Sequence, residues 1–118
     1  MTAGNGAPDS WTQALLPQFL DMTASRQIEI DIERGNLEAG HDPQIAAREI
    51  GKIAHKIAGT AASFGFVGLG RQAQAVEAVC AQVCTIPGPE LDVTVKMRLL
   101  PALDGLTEEL DRALVSSL

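Results

Sequence analysis

Apolar residues recur every three or four positions through the middle of the chain. They are Ala46, Ile50, Ile53, Ile57, Ala61 and Phe64. An α-helix has about 3.6 residues per turn, so this spacing places all of them along one side of a helix. A residue two positions after a member of the stripe lies about 200° further around the same helix, and His55 is two positions after Ile53. The stripe therefore predicts a long helix with one buried side, and it places His55 on the outer side.

The predicted outer side of this helix carries His55 among small and basic residues. Gly51 and Gly59 lie one turn before and one turn after it, and Lys52 and Lys56 flank it. A glycine inside a helix costs roughly 0.5–1 kcal/mol relative to alanine. Close helix packing would explain glycines on the buried side, but these are expected on the outer side. The pattern favours an imidazole left accessible to a partner surface over an ordinary surface histidine.

His55 is also the first residue of a longer sequence pattern. Its members are His55-Lys56-Ile57-Ala58-Gly59, then Phe64-Gly65, Leu69 and Glu77. This pattern resembles the signature of histidine-containing phosphotransfer (HPt) domains. The resemblance implies a four-helix bundle in phosphorelay signalling, with His55 as the phosphate acceptor. Many members carry a lysine three residues after the histidine, where this chain has Ala58. Lys52 and Lys56 are both candidates to supply that charge.

The resemblance further implies a surface on which receiver domains dock. The expected docking residues are Arg48, Gly51, Ala58, Gly59, Ala62 and Gln72. A polar side chain of the third helix is expected near the histidine, and Arg71, Gln72 and Gln74 are the candidates. Glu77 is expected to make only a structural hydrogen bond. The alternative function is a helical docking module that binds a receiver or kinase domain without carrying phosphate.

Partners and cofactors are also implied by the resemblance. Response-regulator receiver domains and a hybrid histidine kinase are the expected partners. The receiver domain would bring the phosphoaspartate and Mg²⁺, so this chain is expected to bind no cofactor itself. The sequence contains no glycine-rich phosphate loop and no kinase signature, so it is not expected to use a nucleotide.

Composition narrows the class of protein further. The chain has 118 residues, which suits one domain with one core. Its net charge of −6 argues against a nucleic-acid partner. No apolar run approaches the roughly 20 residues that span a bilayer, and the N-terminus has no basic start or apolar signal core. We therefore expect a cytoplasmic protein without membrane contact. A monomer is expected because no additional apolar face is evident.

Cys80 and Cys84 lie one helical turn apart and suggest half a metal site or a redox pair. However, Cys80 falls on the predicted buried side of its helix, whereas His55 faces outward. A joint metal site is therefore not expected. Both cysteines are interpreted as small apolar helix residues in a reducing compartment.

Taken in order, the chain predicts an all-α fold: an antiparallel up-and-down four-helix bundle with a short extra N-terminal helix. Residues 1–9 are predicted to form a disordered tail, and residues 10–118 the bundle. The predicted helices are a short one from about Ser10 to Leu16, a first long one from Pro17 to about Arg34, and a second from Pro43 to about Phe64 with Asp42 as its N-cap. A third is predicted from about Val67 or Gly68 to Cys84, and a fourth from about Pro89 or Glu90 with a kink or break at Pro101.

The predicted inner faces complete this picture. The first long helix buries Phe19, Leu20, Thr23, Gln27 and Ile30; the third buries Leu69, Ala73, Val76, Cys80 and Val83; the fourth buries Val93, Met97, Leu100, Leu103, Leu106, Leu110 and Leu114.

Overall fold

The structure, a computed structural model, describes residues 10–116 apart from the side chain of Trp11. The predicted tail, residues 1–9, lies outside the described residues. The helices are α1 (Ser10–Ala39), α2 (Pro43–Ala61), α3 (Val67–Val83), α4 (Gly88–Thr94) and α5 (Leu100–Val115). A 3₁₀ turn, Ala62–Phe64, extends α2, and a π-helical turn, Val95–Leu99, joins α4 to α5. No strand occurs between residues 10 and 116.

The helices form a closed ring around one core. Helix α2 packs against α1 and α3, and α5 packs against α3 and α1. Helices α4 and α5, with the π turn between them, make the fourth rod. Because short connections join consecutive rods, neighbours run antiparallel. The predicted all-α four-helix bundle is confirmed, and the predicted inner face of α3 is fully buried.

The predicted break at Pro17 is wrong, because one continuous helix runs from Ser10 to Ala39. Proline removes the hydrogen bond to the carbonyl four residues earlier, which here belongs to Gln13. Both Pro17 and Gln13 are exposed, so water can satisfy that carbonyl. The short extra N-terminal helix is therefore the first part of α1, and α1 also continues past the predicted end at Arg34.

The connection between α2 and α3 sets how these two helices pair. Gly65 has φ of +85°, a left-handed conformation that glycine adopts without steric cost, and it ends the 3₁₀ turn. The rings of Phe64 and Phe66, on either side, stack on Phe19 of α1 at centroid distances of 4.5 and 5.4 Å. This aromatic cluster fixes the turn against the core, so α2 and α3 lie side by side in a fixed register.

Two local details differ from the sequence-based expectations. Asp42 does precede α2, but its backbone is left-handed (φ 40°) and its side chain makes no capping hydrogen bond. In the fourth rod, Val93 and Met97 are 61% and 71% exposed, although both were expected in the core. Val95 and Leu99 are buried in their place.

The π turn explains the shift in the fourth rod. The N–H of Leu100 bonds to the carbonyl of Val95, five residues earlier, rather than to a carbonyl four residues earlier. A turn of this kind inserts one residue and rotates everything before it relative to everything after it. Pro101 follows directly and has no N–H to donate. The expected irregularity at Pro101 thus takes the form of a π turn just before it.

Candidate functional site

His55 projects from α2 toward a carboxylate on α3. Its side chain is 74% exposed, and its Nδ1 atom lies 2.8 Å from Oε2 of Glu77, whose side chain is 39% exposed. The two residues thus meet at the surface, where one edge of the imidazole is engaged and the other faces solvent.

The antiparallel pairing of α2 and α3 accounts for this contact. His55 lies ten residues before Gly65, and Glu77 lies twelve residues after it. In a helical hairpin, positions at similar distances from the turn lie opposite each other. The spacing of His55 and Glu77 about Gly65 therefore pairs them, and the expectation that Glu77 makes only a structural hydrogen bond misses its contact with His55.

The hydrogen bond determines which imidazole nitrogen is free. An ionised carboxylate can only accept hydrogen bonds, so Nδ1 of His55 must carry the proton that it shares with Glu77. In a neutral ring, Nε2 then keeps its lone pair. Glu77 consequently holds the ring in the tautomer whose unprotonated nitrogen points away from α3.

The two glycines near His55 have different surroundings. A Cβ atom added to Gly51 would lie 3.2 Å from Cβ of Cys80, which is tighter than ordinary contact. Gly51 therefore lets α2 and α3 approach closely, and the expectation that it lies away from the packed side is wrong. An atom added to Gly59 would meet nothing within 4 Å. Gly59 thus leaves open space one turn from His55, as expected.

The third-helix candidates near the histidine are not the residues that reach it. Gln72 donates a hydrogen bond from Nε2 to the carbonyl of Ala102 on α5, at 3.0 Å. It lies in the α3–α5 contact, which argues against its predicted place in the docking surface. Arg71 and Gln74 are exposed, and no hydrogen bond joins either of them to His55. Glu77 is the α3 side chain that contacts the histidine.

The remaining predicted site residues lie on α2 and the turn that follows it. Ala58 is half-buried and Ala62 is exposed, both on the C-terminal side of His55. Lys52 pairs with Glu49 at 3.2 Å. Arg48 and Lys56 are exposed and form no ion pair with any residue between 10 and 116. Two cations near His55 are therefore available to an anionic ligand without breaking an existing salt bridge.

Charge is divided unevenly between the two sides of the bundle. Helix α2 carries three basic residues and one acidic residue, whereas α1 and α5 on the far side are strongly acidic. The acidic residues there are Asp21, Glu29, Asp31, Glu33 and Glu38 on α1, and Asp104, Glu108, Glu109 and Asp111 on α5. A ligand or partner with negative charge is thus attracted to the α2 side and repelled from the opposite side.

A groove runs along the contact between α2 and α3, beginning at His55. Its lining consists of Ala47, Arg48, Gly51, Lys52, His55 and Lys56 on α2, and Glu77, Cys80, Ala81 and Cys84 on α3. We call it the α2–α3 groove. All its α2 residues except Lys56 lie at or before His55 in the sequence. The groove thus extends from the histidine toward the N-terminal end of α2.

The groove brings His55 and Cys80 closer than the sequence indicated, since both line it. Cys80 is nevertheless buried, and burial raises the pKa of its thiol to about 12, with the nearby Cys84 and Glu77 adding to the effect. At neutral pH this cysteine stays protonated and is a poor metal ligand. Within residues 10–116, no three histidine, cysteine or carboxylate side chains lie close enough to hold a metal ion.

No helix in the described part of the chain has the length and apolar character needed to cross a membrane. Comparison with curated proteins and with solved structures gave no match. Comparison with protein families gave one for the Hpt domain, whose model matches residues 14–114. That span covers nearly all of the bundle, from α1 to α5. The chain therefore belongs to the Hpt domain family, whose members take part in phosphotransfer in two-component signalling and interact with receiver domains.

Proposed function

We propose that this chain is a phosphocarrier, in which Nε2 of His55 accepts a phosphoryl group from a receiver-domain aspartate and passes it to another. The observation that carries this proposal is the exposed imidazole whose Nδ1 atom is held by Glu77 at 2.8 Å. That bond leaves Nε2 unprotonated and directed to solvent. A nucleophile for a bulky protein donor needs both properties.

The transfer step can be written with its charges. The Nε2 lone pair of His55 attacks phosphorus, and the bond between phosphorus and the aspartyl oxygen breaks. The aspartate leaves as a carboxylate. The ring retains its Nδ1 proton, so the phosphorylated imidazole carries a positive charge. Glu77 accepts that proton's hydrogen bond and stabilises the charge. Reversal of the same step delivers the phosphoryl group to the next receiver.

Cations near His55 neutralise the negative charge of the phosphoryl group. Lys56 follows His55 directly and Lys52 lies one turn before it, and we assign this role to both. They replace the lysine that many family members carry at the position of Ala58. Arg48, one turn further from His55, meets the partner surface. The receiver domain contributes Mg²⁺ and the phosphoaspartate, so this chain binds no cofactor of its own.

The proposed partners are a hybrid histidine kinase, which supplies phosphate through its receiver domain, and response-regulator receiver domains, which accept it. The docking surface surrounds His55 and includes Arg48, Gly51, Ala58, Gly59 and Ala62. We further propose that the chain works as a cytoplasmic monomer.

A transfer assay tests the proposal. A receiver domain is charged with acetyl phosphate and Mg²⁺, mixed with this chain, and the products are followed by ³¹P NMR. We expect an acid-labile, base-stable phosphohistidine signal that is absent from the His55→Gln variant. Because His55 is 74% exposed, the variant should fold normally, which circular dichroism checks.

Two results would count against the carrier role. A phosphorylated His55→Gln variant would mean that another residue accepts the phosphate. Binding of receivers without any phosphohistidine, even with the small donor phosphoramidate, would favour the alternative function of a docking module that carries no phosphate.

A further inference from the structure

Helix α1 has apolar residues on two opposite sides. Phe19, Ile30 and Leu37 are buried in the core, whereas Ile28 and Ile32 are each 62% exposed. Both exposed isoleucines are two positions from Ile30, and two positions correspond to about 200° around a helix. They therefore lie roughly opposite the buried side. Helix α1 thus presents two large apolar side chains, about one turn apart, pointing away from the core.

The exposed isoleucines belong to a regular stripe along the outer side of α1. Ser25, Ile28, Ile32, Gly35 and Ala39 follow one another at alternating spacings of three and four residues, and all five are exposed. We call these five residues the α1 stripe. Two helices that pack along each other in a coiled coil meet at residues with this spacing. The α1 stripe is about 21 Å long, so it offers a second helix two isoleucines with room on either side.

Acidic residues flank the α1 stripe on both sides. Glu29 follows Ile28 and lies on one flank, whereas Asp31 precedes Ile32 and lies on the other. Both carboxylates are exposed, and neither forms an ion pair within residues 10–116. Asp31 shares its side of the helix with Gln27 and Arg34, which both contact aspartates of α5. The carboxylates of α5 therefore extend the acidic flank on that side.

Helices α1 and α5 account for the whole net charge of the chain. Together they carry nine acidic and three basic residues, a net charge of −6, which is also the net charge of all 118 residues. A second copy of the chain would bring the same acidic flanks against the α1 stripe, and like charges would repel. A helix with lysines or arginines beside an apolar row would be attracted instead. Charge complementarity thus selects a basic partner helix over a second copy.

We propose that the α1 stripe binds a basic amphipathic helix of a partner protein. The partner helix packs its apolar row against Ile28 and Ile32 and places its basic residues against Glu29 and Asp31. No residue of the α1 stripe lines the α2–α3 groove, so this site is separate from His55 and does not depend on the proposed function. A partner held on α1 leaves His55 accessible and raises the local concentration of any receiver domain that the same partner carries.

A synthetic peptide is the probe for this site. It has about 18 residues, with leucine at alternating spacings of three and four, lysine at the flanking positions and alanine elsewhere. Its Kd for the full chain is measured by fluorescence anisotropy. Backbone amide signals in ¹⁵N-labelled protein then locate the bound peptide. We expect the signals from Ser25 to Ala39 to shift and those next to His55 to stay in place.

A matched pair of double variants tests whether the isoleucines form the site. The variant with Ile28→Ser and Ile32→Ser should raise the Kd by about tenfold or more, because it removes the apolar contact. The control variant with Val93→Ser and Met97→Ser also loses two exposed apolar side chains four residues apart, but in the fourth rod. Its Kd should stay within about twofold of that of the unmodified protein. Both variants should fold, since all four side chains are exposed, and circular dichroism checks this.

A third variant tests the acidic flanks. With Glu29→Gln and Asp31→Asn, the Kd should rise severalfold at low ionic strength. At about 0.5 M salt the same variant should bind nearly as the unmodified protein does, because salt already screens the flanking charges. An unchanged Kd at low salt would mean that these carboxylates do not select a basic partner.

Four further outcomes would overturn the inference. Unchanged binding to the variant without the two isoleucines would exclude the α1 stripe as the site. Equal binding of a peptide with the same composition in scrambled order would show attraction of any basic chain. Amide shifts centred on His55 would place the peptide on the other side of the bundle. Self-association of the chain in analytical ultracentrifugation, lost with Ile28→Ser and Ile32→Ser, would make a second copy the occupant.

Discussion

Removing the Glu77 carboxylate should slow phosphorylation of His55 without unfolding the bundle. A hydrogen bond that involves a charged group contributes about 1.5–3 kcal/mol. Exposed pairs contribute less, typically about 0.2–1 kcal/mol. The His55 and Glu77 side chains are 74% and 39% exposed, so the lower range applies. We take about 1 kcal/mol as the contribution of Glu77 to the tautomer preference and to stabilising the charge of the phosphorylated ring. Glu77→Ala should therefore slow the reaction about fivefold.

The conservative variant separates the hydrogen bond from the charge. In Glu77→Gln, the amide oxygen can still accept the Nδ1 proton of His55, but the negative charge is gone. We expect a smaller loss, about twofold, with phosphoramidate as the donor. The free energy of unfolding of either variant should change by less than about 0.5 kcal/mol, because the contact lies at the surface.

The tautomer itself can be measured. In ¹⁵N-labelled protein at a pH where the ring is neutral, the two nitrogen shifts of His55 should show a protonated Nδ1 and an unprotonated Nε2. In Glu77→Ala the shifts should move toward a mixture of tautomers. His41, in the exposed connection before α2, is the internal reference and should not change. Identical His55 shifts in the variant, or an unchanged phosphorylation rate, would refute the assignment of Glu77 as a positioning residue.

Three further predictions concern the glycines and cysteines beside the site. Gly59→Ala should stabilise the protein by up to about 1 kcal/mol in denaturant titrations, whereas Gly51→Ala should destabilise it because the new Cβ would press on Cys80; equal shifts would contradict this. Gly59→Leu should slow transfer from a receiver domain by at least tenfold while leaving the bundle folded, and an unchanged transfer rate would contradict its place in the docking surface. With N-ethylmaleimide at pH 7, Cys84 should react and Cys80 should not, and modification of both at equal rates in the folded protein would show that Cys80 is accessible.

Much of the bundle could be predicted because its sequence pattern matches one helical period. The apolar stripe of α2 and that of α3 recur every three or four residues, and Gly65 marks the turn between them. In the structure Ile50 and Ile57 are fully buried on α2, and Leu69 and Val76 on α3. The spacing of apolar residues predicts helices of this kind correctly because each of them buries only one side.

The fourth rod could not be predicted in this way, because its period changes along its length. A regular helical spacing that is extended from Leu103 back through Met97 to Val93 does not include the additional residue of the π turn. The presence of Pro101 indicated an irregularity but not its kind. Proline is compatible with a break, a kink or a π turn, and packing against α3 selects among them.

The site itself was predictable on α2 but not across the contact with α3. His55 and its basic neighbours follow from one helix, since spacing alone places them on a common face. The bond from His55 to Glu77, and the packing of Gly51 on Cys80, depend on how two helices align. A count of residues on each side of Gly65 would have suggested both pairs. Gln72 reaches α5 because of how α3 packs against α5, and the spacing of residues within one helix does not show that packing.

The polar contacts between α1 and α5 lie away from the groups proposed to carry phosphate. Arg34 on α1 pairs with Asp104 on α5 at 2.7 Å, and Gln27 donates to Asp111 at 2.8 Å, both on the acidic far side. Phosphorylation would add close to two negative charges at His55, where the local field is positive and the side chain is exposed. The acidic residues of α1 and α5 lie on the other side of the bundle, so the carboxylate next to that charge is Glu77, which also binds the protonated Nδ1 of the ring. The same division means that a receiver can dock over α2 and α3 without disturbing the contacts between α1 and α5.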